Sequence, residues 1–131
     1  MLKQFHHIGF AVRDLDRIIS LMENTYGLKA CRRINIKDRQ MEAVLYRIGD
    51  AYLEYLAPTS EDSPLHGFIN KKGEGFHHIA CLVDSINETR DVLPKGALLE
   101  SRRSDVGSWT IADFDKKFDS GFINQVIEKD E

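Results

Sequence analysis

The sequence predicts an α+β protein made of two β-α-β-β-β modules joined by a short helix. Three observations carry that expectation. The phrase FHHIGFAV at residues 5–12 returns as FHHIACLV at residues 76–83, an offset of 71 positions. Self-similarity at one fixed offset marks a duplicated architecture more strongly than local propensity does. Each phrase is rich in β-branched and aromatic residues and runs into a helix start, as the edge of a βα unit does. Each helix is then followed by three strand-like stretches.

The elements follow in order. In the first strand Phe5, His7, Gly9 and Ala11 share a face by the two-residue period, and the small residues beside the histidine leave room for a ligand. Asp14 opens the first helix, whose Leu15, Ile18, Ile19, Met22 and Tyr26 line one face, and Gly27 supplies the stop. Three strands come next: ACRRINI, QMEAVLYRI and AYLEYLAP. The linker EDSPLHGFINKKGEG reads as a short helix capped by Asp62 or Ser63, with Pro64 in its first turn, Gly73 beyond its end and His66 exposed. After the second phrase, Ser85 stands three residues before Glu88 as a capping box, and the helix ends before Pro94 and Gly96. Weaker strand patterns close the chain: ALLESRR, SWTIADF and GFINQVIE.

The length of 131 residues suits one domain, with modules at about 5–58 and 75–128 and the linker helix at about 62–72. Hydrophobic residues at 42% and charged residues at 30% belong to a soluble globular chain. A net charge of -3, with no basic stripe interleaved with aromatics, excludes a nucleic-acid partner. No apolar run approaches the roughly 20 residues that span a bilayer, and MLKQFHH lacks the apolar centre of a signal peptide. No membrane partner and a cytoplasmic location are therefore expected. Cys31 and Cys81 have no metal-type spacing and read as reduced thiols.

The repeat directs attention to polar residues at matching positions inside strands. Glu54 lies 47 residues after His7, and Gln125 lies 47 after His78. Glu42 lies 35 after His7, and Asp113 lies 35 after His78. A lone histidine or glutamate in a strand is ordinarily structural or solvated, but matched residues in a duplicated fold point to one shared site. Glu54 shares its strand face with Tyr52 and Leu56, and a carboxylate among apolar neighbours is costly unless paired or bound to a metal. Glu42 joins the face of Glu54 if the hairpin between them has an odd loop such as Gly49-Asp50-Ala51. His6 and His77 have the opposite parity, so they face the helices or solvent, or orient a ligand from behind.

These residues give the chain a resemblance to the vicinal oxygen chelate superfamily, and within it to the methylmalonyl-CoA epimerase and glyoxalase I branch. It is carried by HHIGFAV and by YRIGDAYLEYLAPTSEDSPLHGFINKKGEGFHHIA, covers about residues 5 to 92, and fades beyond about residue 97. The resemblance implies that the two modules close an incomplete mixed-strand barrel around a divalent metal ion, and that the chain forms a homodimer. It matches His7, Glu54, His78 and Gln125 to the family's metal ligands and Glu42 to a catalytic base. The sequence departs from the family in two places. Gln125 stands where related epimerases place a glutamate that serves as ligand and base, and the stretch at residues 101–121 lacks their glycine-rich segment and His-Pro pair.

The implied chemistry is metal-dependent proton abstraction beside a carbonyl by an isomerase, epimerase or lyase, on a small molecule such as a CoA thioester. Two histidines, a carboxylate and an amide leave a divalent site with a net charge of about +1, suited to an enolate. Glu42 is the expected general base, and Asp113 the second acid-base group that epimerisation needs. Cobalt, nickel, manganese or zinc fits this reading. Two alternatives stand beside it: an iron(II) ring-cleaving or related dioxygenase, since two histidines and a glutamate also make that triad, and a non-catalytic small-molecule binding module.

Overall fold

The computed structural model describes residues 1–118 and 121–130. Positions 119 and 120, part of the divergent 101–121 stretch, and position 131 lie outside the described residues. The chain divides into two compact units, one formed by Gly9–Phe76 and the other by Met1–Ile8 together with the chain from His77 onward. Strand β1 (Gln4–Ala11) runs through both.

In the Gly9–Phe76 unit, α1 (Leu15–Tyr26) begins at Asp14, whose side chain accepts from the Arg17 N–H, and ends at Gly27 in the left-handed region at φ 65. A cap of this kind is worth about 1 kcal/mol, and glycine tolerates that φ without a Cβ clash. β2 (Arg32–Ile36), β3 (Met41–Ile48) and β4 (Ala51–Pro58) form an antiparallel meander, and β1 completes the order β2-β3-β4-β1. Leu15, Ile18 and Met22 of α1 pack on Val44, Tyr46 and Ala57, forming the core of this unit. Burial of each such side chain contributes about 1.5–3 kcal/mol. In the segment after β4, α2 (Pro64–Lys72) is capped by Ser63 and buries Leu65 and Ile69, four apart on one face.

The other unit orders its strands β1-β5-β8-β7-β6, from β5 (Gly75–Leu82), β6 (Arg102–Arg103), β7 (Trp109–Asp113) and β8 (Ile123–Lys129). β5 and β8 are parallel; β7 is antiparallel to β8 and to β6. α3 (Ile86–Val92) starts at Ser85, which accepts from the Glu88 N–H as the capping box requires. Its Ile86 packs with Val83, Leu98, Ala112 and Val126. Of the stretch expected as the strand ALLESRR, only Arg102 and Arg103 pair as a strand, and Leu98 makes an isolated bridge to Phe114. No helix among the described residues is long and apolar enough to cross a membrane.

Candidate active site

The strand register sorts the candidates onto faces. His78 is level with Ile123 and Ala80 with Gln125 across the parallel β5–β8 pair, and Asp113 is level with Gln125 across β7–β8. Level partners project to the same side of a sheet. His78, Ala80, Gln125, Asp113, Ile111 and Trp109 therefore share one face, and Arg102, level with Ile111, joins them. The opposite face holds Ala112 and Val126 and is covered by α3.

On β1, His7 is 3% exposed, and Ala11 is fully buried. Phe5 does not follow them inward; it is more than half exposed at the start of the strand. The His7 and His78 rings meet nearly edge to face, with Nε2 to Nε2 at 3.0 Å. Two nitrogens on one cation, each about 2.1 Å from it and 90–110° apart, are about 3.0–3.4 Å from one another. The observed spacing fits that pair.

His6 is turned away from solvent, and His77 is partly buried. His6 is 1% exposed, its Nδ1 lies 2.8 Å from Nδ1 of His7, and its ring stands edge-on to Trp109 at 4.5 Å. Nδ1 of His77 lies 2.9 Å from Nδ1 of His78. The duplicated HH phrase is thus a duplicated contact, with one ring of each pair behind the other.

Gln125 is 8% exposed, and its Oε1 is buried without a hydrogen-bond partner among the described residues. A buried acceptor left unmade costs about 1–3 kcal/mol, so an orphaned amide oxygen suits a cation ligand. Asp113 is held through Oδ2 by Arg102 at 3.3 Å, while its Oδ1 is buried with no hydrogen-bond partner among the described residues.

In the Gly9–Phe76 unit, Glu54 on β4 is 5% exposed and is level with Leu45. The hairpin turns on two residues, Gly49 and Asp50, with Ile48 level with Ala51 and Gly49 at φ 59. The odd loop on which a shared face for Glu42 and Glu54 depended is therefore absent, and the two lie on opposite faces. Glu42 is level with Ala57 and shares the face of Val44 and Tyr46, the side covered by α1. Its carboxylate is ion-paired with Arg33 at 3.0 Å, and Arg33 also reaches Asp16 of α1 at 2.9 Å. These two carboxylates push the Arg33 pKa above its ordinary value. A carboxylate engaged there lies on the opposite face of the sheet from Glu54.

Trp109 and Arg102 were not among the sequence candidates. A signal existed for Trp109: it stands four residues before Asp113 in one strand, hence on the same face. The indole lies over Gly107, where any Cβ would overlap its ring.

Residues 6–112 match the family described as Glyoxalase/Bleomycin resistance protein/Dioxygenase superfamily. The chain is 33% identical over 92 residues to the Bacillus subtilis protein YqjC, covering 70% of this chain and 66% of that protein. It is 32% identical over 87 residues to human mitochondrial methylmalonyl-CoA epimerase, covering 66% of this chain and 49% of that protein. The matched stretch thus spans between about half and two thirds of these curated relatives. The structure superposes on a variant of Streptomyces coelicolor methylmalonyl-CoA epimerase in complex with 2-nitronate-propionyl-CoA, with a TM-score of 0.86 at 29% identity, covering 98% of this chain and 96% of that one. The duplicated β-α-β-β-β arrangement read from the sequence is accordingly the glyoxalase fold, and the chain belongs to the glyoxalase/bleomycin resistance protein/dioxygenase superfamily.

Proposed function

We propose that the chain is a divalent-cation-dependent epimerase that removes and returns the acidic proton beside the carbonyl of an acyl-CoA thioester, of the methylmalonyl-CoA type. The observation that carries this reading is the facing pair of buried imidazoles, His7 and His78, in a chain similar to methylmalonyl-CoA epimerases. Gln125 is the proposed ligand beside them, supported by its orphaned Oε1. Glu54 is the proposed carboxylate ligand: His7, Glu54 and His78 each offer one ligand atom, and all three are buried. The donor set suits cobalt, nickel, manganese or zinc. Once bound, such a cation is a Lewis acid that lowers by several kcal/mol the energy of negative charge developing on the carbonyl oxygen.

Asp113 is the proposed acid-base group. A free carboxylate is too weak a base to take an α-proton unless the resulting oxyanion is stabilised, so the role of Asp113 depends on the ligand set. Arg102 fixes Oδ2 and leaves Oδ1 to accept the proton. The C–H bond breaks toward Oδ1 and its electron pair moves toward the carbonyl oxygen; a proton delivered by solvent water on the opposite face then re-forms the C–H bond as the enolate pair returns, inverting the centre, and Asp113 gives up its proton to solvent. A homodimer in the cytoplasm is part of the same proposal, open to sedimentation equilibrium and to cell fractionation.

The test is deuterium incorporation at the α-carbon of methylmalonyl-CoA in D2O, followed by NMR. Exchange that requires a divalent cation and stops with chelator supports the reading. Iron-dependent oxygen uptake would replace it with a dioxygenase, and stoichiometric binding without exchange with a binding module.

A further inference from the structure

Resting on the proposed metal site, we infer that His6 and His77 are positioning residues: with a cation bound, each accepts a hydrogen bond from the Nδ1–H of the histidine that follows it, holding the tautomer that turns the Nε2 lone pairs of His7 and His78 toward that cation. The inference grows from the two halves of the repeat separately. His6 Nδ1 to His7 Nδ1 is 2.8 Å, and His77 Nδ1 to His78 Nδ1 is 2.9 Å. Each contact is short enough to need one proton between its nitrogens and too short for two.

Counting protons identifies the arrangement. With a cation present, neither His7 Nε2 nor His78 Nε2 can carry hydrogen, so each ring carries its one proton on Nδ1. That proton points at His6 Nδ1 or His77 Nδ1, which must then be bare, leaving His6 and His77 protonated on Nε2. Four neutral rings hold four protons, and both Nδ1 contacts are satisfied. Without a cation, the 3.0 Å contact between His7 Nε2 and His78 Nε2 needs one proton of its own. Four neutral rings again suffice: the protons run in one direction, His6 Nδ1 to His7 Nδ1, His7 Nε2 to His78 Nε2, His78 Nδ1 to His77 Nδ1. Four imidazoles thus serve both states with the same number of protons: when a cation binds, the His7 proton moves from Nε2 to Nδ1 and the His6 proton from Nδ1 to Nε2.

The packing holds the relay in place. His6 is locked edge-on against Trp109, and the His77 and His78 rings are almost perpendicular, the orientation an in-plane N–H to N bond between adjacent rings allows. Residues standing behind metal-bound histidines raise their basicity and fix their rotation, and their loss costs about 10–100-fold in affinity.

His77 is the better position to perturb, because it is only partly buried. His77→Phe keeps the ring and removes the acceptor; His77→Asn restores an acceptor oxygen near Nδ1. Zinc affinity is measured by competition with a chromophoric chelator, and ring tautomers by long-range proton–nitrogen NMR on the zinc-loaded full chain. The expected result is a loss of about 10–100-fold for His77→Phe, recovery to within a few-fold for His77→Asn, and Nδ1-protonated His7 and His78 in the parent. If the parent binds zinc and His77→Phe binds it equally well, or if His78 carries its proton on Nε2, the relay is wrong while the metal site survives. If the parent binds no zinc, nickel, cobalt or manganese, the site reading itself is wrong, and the relay with it.

Discussion

Replacing Gln125 by methionine separates function from stability in a way few substitutions here can. The side chain is 8% exposed on β8, and its Oε1 makes no hydrogen bond among the described residues. A buried acceptor without a partner costs about 1–3 kcal/mol, whereas a thioether of similar volume has no comparable demand. Removing the cation from the parent exposes that cost, so Gln125→Met should be more stable than the parent in chelator by up to about 1–3 kcal/mol. At about 2.1 cal/mol/K per residue, a chain of 131 residues shifts in Tm by about 4 °C per kcal/mol, which gives about 4–11 °C. Calorimetry of both proteins, with chelator and with saturating zinc, reads this directly. The expected pattern is a crossover, with Gln125→Met melting higher in chelator and gaining less from zinc, because stabilisation by a ligand follows its affinity. A variant that melts lower than the parent in chelator and binds zinc as tightly would refute the reasoning, since Oε1 would then be a satisfied structural acceptor.

Three further outcomes are expected. Asp113→Asn should retain zinc while solvent exchange falls by about 10²–10⁴-fold, the usual worth of a positioned general base, as NMR in D2O would register. Glu42→Gln should leave exchange within a few-fold of the parent and cost no more than about 1 kcal/mol in urea unfolding, because its partner Arg33 is half-exposed and the pair lies on the α1 side. Gly107→Ala should push Trp109 off its seat, destabilise by about 1–3 kcal/mol and shift the emission of the single tryptophan; unchanged fluorescence would show that the indole does not rest there.

The first module was the more legible. AYLEYLAP became β4 residue for residue, and Asp14 and Gly27 bounded α1 as expected, because strong periodicity and unambiguous caps agreed. In the second module ALLESRR carried no alternation, and its arginines pair over two residues only. The face of Glu42 was not legible, since it depends on whether Gly49 opens a two-residue or a three-residue turn, and one residue of difference inverts every side chain of the strand. Glycine at positive φ in the first of two turn positions decided it. Parity left His6 with three readings, facing the helices, facing solvent or orienting a ligand from behind; its contacts with His7 and Trp109 are tertiary, and strand period does not encode them.

The most direct test of the central claim is the metal content and X-ray absorption spectrum of the dialysed protein loaded with zinc or cobalt, compared with a His7→Ala, His78→Ala double variant. The account expects one divalent ion per chain with two imidazole nitrogens at about 2.0–2.1 Å, lost in the double variant. Metal content near zero, or a coordination shell without imidazole that the double variant leaves unchanged, would contradict it.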